Sequence, residues 1–332
     1  MFYFTAYGQS EKISSSLQEN YVQLSPAVTE SFVTIARDLL AEAMPAELVD
    51  DRFDQSWQKN SITSDSYKAV VASVTDSSHP DTTTAVGIGE GWFENDTLRL
   101  ELLISLTVNQ AERRQLLDDL YQHTAQLFNS EVQPQPTIEL WARPTSTDHN
   151  HVAETHALTS HRQLFQMRLT STPETQSLID PLVVTTEPFK KADITELVAV
   201  NNRAFVDHPD QGTLTAKKFH ELSQQSWFDP EGIRLHKIDG KMAAFCWTKV
   251  HTKTQMGELY VVAVDPSFQG QGLGKAIASA GIHWLQQQRI EKIMLYVEAS
   301  NTPALGTYNK LSFTTVRVDQ AWTSSPADTA TT

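Results

Sequence analysis

Along the second half of the chain the spacing of apolar residues changes period repeatedly, and each change marks a predicted element. In "ITELVAVNNRAF" (194–205) the apolar positions recur at helical spacing, with Asp193 available as the cap. The stretches 232–238 and 242–250 read as strands, and the Asp239-Gly240-Lys241 between them is a hairpin signal. "GELYVVAV" (257–264) becomes continuously apolar, the pattern of a strand covered on both faces. A glycine-rich turn follows, then a helix over 274–288 that gathers Ile277, Gly281, Trp284 and Leu285 on one face. Strand 292–298 comes next, then a short helix over 302–311 with Pro303 in its first turn, and strand 313–322 closes the sheet.

The first half repeats this order in blurred form. A helix is predicted over 25–43, strands over 67–75 and 84–93, and 98–106 is the counterpart of 257–264. A helix over 110–128, a strand over 136–143, a further helix and the strand "LFQMRL" (164–169) finish it. The period is far too long for a solenoid, so a duplicated α/β domain of mixed α+β class is the better account. The boundary falls in the Ser-, Thr- and Pro-rich stretch 169–183. The expected division is a first domain over 1–170, a linker over 171–182 and a second domain over 183–322. The small, polar tail 323–332 is expected to be disordered.

Composition agrees with two domains, since 332 residues exceed what one core usually organises. A net charge of −14 argues against a general nucleic-acid or anionic-membrane surface. An anionic ligand would need a local device to offset the global repulsion. Cys246 is the only cysteine, so no intrachain disulfide can form and the cytoplasm is the expected location. The start "MFYFTAYGQS" lacks a basic region followed by an apolar run, and nothing approaches 18 consecutive apolar residues. The expectation is a soluble monomer with a small-molecule substrate and neither a nucleic-acid nor a membrane partner.

The local device is offered by "QGQGLGK" (269–275), where Gly270, Gly272 and Gly274 alternate between a strand and a helix. A dinucleotide fingerprint fails, because Lys275 stands at the last required glycine. A P-loop fails as well, because Ala276 follows Gly274-Lys275 and the earlier glycine is missing. What remains is either a tight turn without a ligand or a ring of N–H groups at a helix N-terminus, the usual grip on a pyrophosphate. In the second case Gln269 adds a donor and Lys275 a positive charge at the rim.

The segment Gln269-Gly270-Gln271-Gly272-Leu273-Gly274 resembles the acetyl-CoA loop, Q/R-x-x-G-x-G/A, of the GCN5-related N-acetyltransferases, the GNAT family. Downstream, Asn301, Ala304, Tyr308 and Phe313 resemble the same family's N-x-x-A-x-x-x-Y-x-x-x-x-F segment. The likeness narrows over about 205–322 to tandem acetyltransferases of actinobacteria, and is fainter over 141–169. Those enzymes move acetyl from acetyl-CoA to the cysteinyl amine of cysteinyl-glucosaminyl-inositol, the last step in making mycothiol. The resemblance implies two tandem GNAT-type domains, each a mixed, mostly antiparallel sheet flanked by helices, with direct transfer in a ternary complex. A GNAT enzyme for another small amine, or a non-catalytic acetyl-CoA sensor, are the rival readings.

What the resemblance implies for single residues is specific. Acetyl-CoA would be held by Val262, Ala263 and Val264 through their backbone, by residues 269–275, and by Asn301, Thr302, Pro303, Ala304, Leu305 and Gly306. Tyr308 stands where the family places the acid for the departing thiolate. Glu258 is the candidate base. It lies four residues before the proposed thioester contacts, about 13 Å of extended strand. A free α-amino group titrates near 7.7–8.0, so a strongly perturbed base is unnecessary. Asp210, Lys249, Glu258, Tyr296 and, from the first half, Glu47 are the candidate acceptor-binding residues.

Other features carry less. His149, His151, His156 and His161 match no closed metal site, and no metal is expected. Cys246, within a predicted strand, reads as a buried structural thiol. Where the first half should turn, it reads "LTVNQAERRQLLDDL" (106–120) with no glycine. The first domain is therefore expected to bind no acetyl-CoA and to serve as scaffold and partial substrate wall.

Overall fold

The computed structural model describes residues 2–8, 21–23, 68–75, 83–94, 96–105, 107–129, 136–170, 172, 184–208, 211–252 and 254–324. The first half contains β1 (Phe2–Gly8), β2 (Tyr21–Gln23), β3 (Lys68–Thr75), β4 (Thr83–Glu94) and β5 (Thr97–Ile104). These are followed by α1 (Gln110–Asn129), β6 (Thr137–Ala142), α2 (Thr147–Thr155) and β7 (Thr159–Thr170). The second half contains β8 (Glu187–Pro188), α3 (Ile194–Ala204), α4 (Ala216–Ser223), β9 (Ile233–Ile238), β10 (Lys241–His251) and β11 (Met256–Val264). It ends with α5 (Leu273–Gln287), β12 (Lys292–Glu298), α6 (Thr302–Lys310) and β13 (Thr314–Thr323). The helix expected over 25–43 lies outside the described residues.

Two compact units result, one from 1–163 with 318–332 and one from 164–317. In the first unit the strands run β2-β1-β3-β4-β5-β6-β13, and in the second β7-β12-β11-β10-β9-β8. Within each unit one central pair is parallel, β5 with β6 and β11 with β12. Their neighbours β4 and β10 are antiparallel to them.

Two strands take partners other than those expected from their order in the chain. Residues 164–170 of β7, expected to finish the first sheet, pair with β12 from Glu298↔Leu164 to Lys292↔Thr170. Residues 320–323 of β13, expected to close the second sheet, pair with β6 of the first unit. A period-2 pattern says that a segment is a strand and which face is apolar; it does not name the sheet edge that will accept it. The end of β13 also carries Thr323 and Ser324 into order, Ser324 Oγ accepting from Ile138 N at 2.9 Å. The rest of the tail lies outside the described residues.

In the first unit α1 lies on β4 so closely that a Cβ at Gly87 would meet Leu120 at 2.9 Å, and one at Gly91 would meet Phe128 at 2.7 Å. The buried Lys68 donates to Leu127 O at 2.8 Å near the end of α1, which satisfies a carbonyl in the last turn. In the second unit α5 covers one face of the sheet around Ile277, Ile282, Leu285, Leu259, Leu295 and Met167. The other face is aromatic, with Phe219, Phe245 and Trp247 under α3 and α4. Asp193 does not cap α3 through its side chain. It closes the 3₁₀ turn Lys191–Asp193 instead, accepting from Lys190 N and Lys237 Nζ, each at 2.8 Å. Burial opposes its charge, yet these donors hold the carboxyl below its ordinary pKa.

Candidate functional site

The site begins where two parallel strands part. β11 pairs with β12 only from Met256↔Lys292 to Glu258↔Met294. On its other edge β11 stays paired with β10 as far as Val264↔Ala244. Val262, Ala263 and Val264 therefore keep one paired edge and present an edge that β12 has left. A β-bulge produces the bend: Trp247 pairs with Val261 and Thr248 with Leu259, which leaves Tyr260 as the extra residue. The bulge shortens the path as well. Glu258 lies opposite Lys249 and Val262 opposite Cys246, three residues along β10, which corresponds to about 10 Å in place of about 13 Å.

The turn that follows is closed from within. Asp265 is buried, and its carboxylate accepts from Ser267 N at 2.9 Å and from Arg203 Nε of α3 at 2.9 Å. Burial raises the energy of that charge, but Ser267 and Arg203 outweigh it and keep the carboxyl below its ordinary pKa. Gly270 and Gly272 adopt φ of +77° and +78°, a backbone conformation that L side chains resist. Gly272 is the N-cap of α5 and supplies no side-chain bond to the first turn. The first amides of α5 thus have no intrahelical acceptor and are available to an anion.

A cleft of about 610 Å³ runs from this turn along the open strand edge. Val262, Ala263, Val264, Gln269, Gly270, Gly272, Leu273, Gly274 and Lys275 line one side. Asn301, Pro303, Ala304 and Tyr308 line it from α6. Gln271 lines an adjoining recess of about 230 Å³ with Lys275 and Ser279. Thr302, Leu305 and Gly306 do not line the cleft; Leu305 packs on the apolar core. Two side chains do other work than expected. Gln269 turns back to donate to Val264 O at 3.3 Å. Asn301 caps α6, its Oδ1 accepting from Ala304 N at 3.2 Å.

Tyr308 is buried and lines the cleft, with its ring 5.9 Å from Phe313, edge to face. Burial, reinforced by the neighbouring Cys246, pushes its hydroxyl well above the ordinary tyrosine range, so it keeps its proton at neutral pH. Cys246 is itself fully buried, and burial raises its thiol to about 12. It is an inert thiol packed against α5, where a Cβ on Gly281 would collide with its sulfur.

The polar residues lie on the sheet face opposite α5. On β10 the alternating residues Trp247, Lys249 and His251 share that face, and Glu258 lies directly across from Lys249. Glu258 is buried, and its Oε2 is 2.8 Å from Nε2 of the fully buried His251. The Lys249 ammonium sits 5.2 Å from the centre of the Trp227 ring. On β12 the Tyr296 hydroxyl receives hydrogen bonds from Gln166 at 2.5 Å and Arg317 at 3.1 Å. Glu258, Lys249 and Tyr296 are thus on one face of adjoining strands. Asp210 and Glu47 lie outside the described residues. His251, Trp227, Gln166 and Arg317 were not singled out in the sequence. His251 alone carried a usable signal there, its i+2 spacing from Lys249.

The corresponding region of the first unit is built differently. β4 and β5 pair without interruption from Glu94↔Thr97 to Gly87↔Ile104, with no bulge. β5 and β6 stay together for five pairs, Thr97↔Thr137 to Glu101↔Trp141. Asn109 closes the start of α1, its Oδ1 accepting from Glu112 N at 3.1 Å. Nearby, His149 and His156 serve packing: His149 meets Ser146 Oγ at 2.7 Å, and His156 stacks on Tyr121 and meets Asp118 at 2.7 Å.

Comparison with known proteins agrees with this geometry. Residues 198–313 match the model of the acetyltransferase (GNAT) family. Over 186 residues the chain is 40% identical to a mycothiol acetyltransferase of Streptomyces griseus, covering 55% of this chain and 60% of that one. With the mycothiol acetyltransferase of Thermomonospora curvata the identity is 39% over 192 residues, 57% of this chain and 64% of the relative. The aligned part thus spans less than two thirds of these relatives' length. Among solved structures, a GCN5-related N-acetyltransferase from Sphaerobacter thermophilus superposes with a TM-score of 0.66 at 18% identity, covering 97% of this chain and 95% of that one. A tandem GNAT protein from the clavulanic acid biosynthesis pathway gives a TM-score of 0.63 at 13% identity, covering 99% and 100%. The chain has the tandem GNAT fold, and its residues 198–313 match the acetyltransferase (GNAT) family model.

Proposed function

We propose that this protein is an acetyl-CoA-dependent N-acetyltransferase whose acceptor is the cysteinyl amine of cysteinyl-glucosaminyl-inositol, the reaction that completes mycothiol. The observation that carries the reading is the single cleft joining the glycine turn, the open edge at 262–264 and Tyr308. Its likeness to mycothiol acetyltransferases supplies the choice of acceptor. The residues fit the cosubstrate: two left-handed glycines and an uncapped helix start suit a pyrophosphate, and an unpaired strand edge suits an amide-rich arm.

Acetyl-CoA supplies an activated thioester. This chain's amides at Val262 to Val264 orient its carbonyl and favour charge on the oxygen. Glu258 takes the proton of the acceptor amine, directly or through one water, in a face held dry by Trp227, Trp247 and Tyr260. Tyr308 keeps its proton and directs it at the departing sulfur. Lys249 and Tyr296 present a cation and a hydroxyl, the groups that a polyol acceptor with hydroxyl oxygens requires. The transfer uses one binding cleft, in the second unit. The first unit keeps its parallel strands together and its helix start capped, and it binds no acetyl-CoA.

The test is coenzyme A release with cysteinyl-glucosaminyl-inositol, glucosaminyl-inositol and simple amines as acceptors. A strong preference for the cysteinyl compound is expected. Equal turnover of all three would replace it with a general amine acetyltransferase, and no turnover of any would leave a binding protein.

A further inference from the structure

We infer that His251 is a positioning residue for Glu258, holding one carboxylate oxygen so that the base faces the acceptor amine. The inference rests on the acetyltransferase reading above and concerns the same site.

Both partners are buried, His251 completely, and the contact from Nε2 to Oε2 is 2.8 Å. Strand register sets this up. His251 stands opposite Met256 and Lys249 opposite Glu258, so on one face His251 is the diagonal neighbour of Glu258. An ionised Glu258 is an acceptor only, which makes Nε2–H the donor and assigns the proton to that nitrogen. A carboxylate on a flexible stem has rotamers that turn it from the amine. A charge-assisted bond from a rigid ring on the neighbouring strand removes them. Lys249 lies directly across from Glu258, with its ammonium 5.2 Å from the centre of the Trp227 ring. The strand itself is fixed here: Glu258 is the last β11 residue paired with β12, two residues before the extra residue of the bulge, Tyr260. Backbone rigidity and side-chain rigidity therefore coincide at the residue that must be aimed.

The test compares His251→Gln, His251→Asn and His251→Leu by steady-state kinetics, acetyl-CoA titration and thermal unfolding. A Gln amide reaches the place of Nε2, whereas an Asn amide reaches only that of Nδ1. His251→Gln is expected to keep kcat within about threefold. His251→Asn and His251→Leu should lose about 10–100-fold in kcat, the cost of a misplaced base, with the Kd for acetyl-CoA unchanged. If the Leu variant does not fold, the Gln and Asn pair decides alone. Equal kcat for the Gln and Asn variants would overturn the inference, as would an unchanged kcat in His251→Leu. A readout independent of turnover is the imidazole Nε2–H resonance. It should be protected from exchange in the wild type and should shift in Glu258→Gln. Its absence from the wild type would also overturn the inference. Lack of turnover by the wild type would sink the acetyltransferase reading while this resonance still reports on the pair.

Discussion

Replacing Gly272 by alanine separates what the fold asks of this position from what the ligand asks. Within the protein a Cβ at Gly272 would meet nothing inside 4 Å, so no clash arises. The conformational cost remains, because φ is +78°. For an L residue that is about 1–2 kcal/mol, or about 2–8 °C in Tm for a unit of this size. The ligand's demand is separate. The new methyl group would project beside the first amides of α5, and losing one amide-to-phosphate bond costs about 1.5–3 kcal/mol. That corresponds to a rise of about 10–150-fold in the Kd for acetyl-CoA. Gly274→Ala isolates the backbone term in the thermal comparison. Its φ is ordinary, its nearest neighbour would be Thr307 Oγ1 at 4.0 Å, and it lies inside α5, where alanine stabilises a helix. Calorimetric titration with acetyl-CoA and thermal unfolding of both variants are the assays. A folded Gly272→Ala protein with an unchanged Kd would refute the amide cradle. An unchanged Tm would refute the claim that the left-handed backbone is needed.

Other expected outcomes follow from the same geometry. Tyr308→Phe should lower kcat by about 10²–10⁴-fold with little change in acetyl-CoA binding; in the wild type the raised pKa should leave kcat free of tyrosine ionisation up to about pH 10. Calorimetry should find one equivalent of acetyl-CoA per chain, and a second equivalent would contradict the assignment of the first unit as a non-binding scaffold. Asp265 is held below its ordinary value of 3.8, so its contribution to stability is fully present above that pH and is lost as pH falls through the lowered value. Thermal unfolding of wild type and Arg203→Gln should therefore differ at pH 6 and converge in strong acid; a constant difference down to pH 2 would count against the Arg203–Asp265 pair.

Much of this site could be read from residue types because each of its requirements is local. A left-handed turn selects glycine, so Gly270 and Gly272 stand out in any reading. A helix start with Pro303 in the first turn is equally legible. Strand partnership was not legible. Residues 164–170 alternate in the ordinary way and 320–323 read Gln-Ala-Trp-Thr, and nothing in either pattern states which sheet edge receives the strand. Burial of a charged residue was hidden for a related reason. Glu258 at the start of a strand looks like a solvated end, until the register shows that Lys249 and His251 meet it from the neighbouring strand. Gln269 and Asn301 show the opposite limit: the residue types suit a ligand, yet their side chains bond the protein's own backbone.

The two units show why a shared fold does not carry a shared site. In the second, the extra residue Tyr260 bends β11, pairing with β12 stops at Glu258, and the turn after it is closed by a glycine without a side chain. In the first, each condition differs: no bulge separates β4 from β5, β5 follows β6 as far as Glu101, and Asn109 caps α1 by accepting from Glu112 N. Each difference acts on a different part of an acetyl-CoA site. Without the bulge β5 keeps regular pairing with β4 to Ile104. Its pairing with β6 runs two residues further than that of β11 with β12, which leaves three β5 residues beyond it and a recess of only about 20 Å³ among Glu101, Leu102, Leu103 and Trp141. With Glu112 N already bonded to Asn109, and with Glu112 placing a negative charge at the helix start, a pyrophosphate meets fewer free amides and an unfavourable field. Introducing glycines at 107–109 alone should therefore restore no binding, because it corrects one of three conditions. Calorimetric titration of that variant with acetyl-CoA should still find one equivalent per chain, and a second equivalent would show that the turn by itself governs the site.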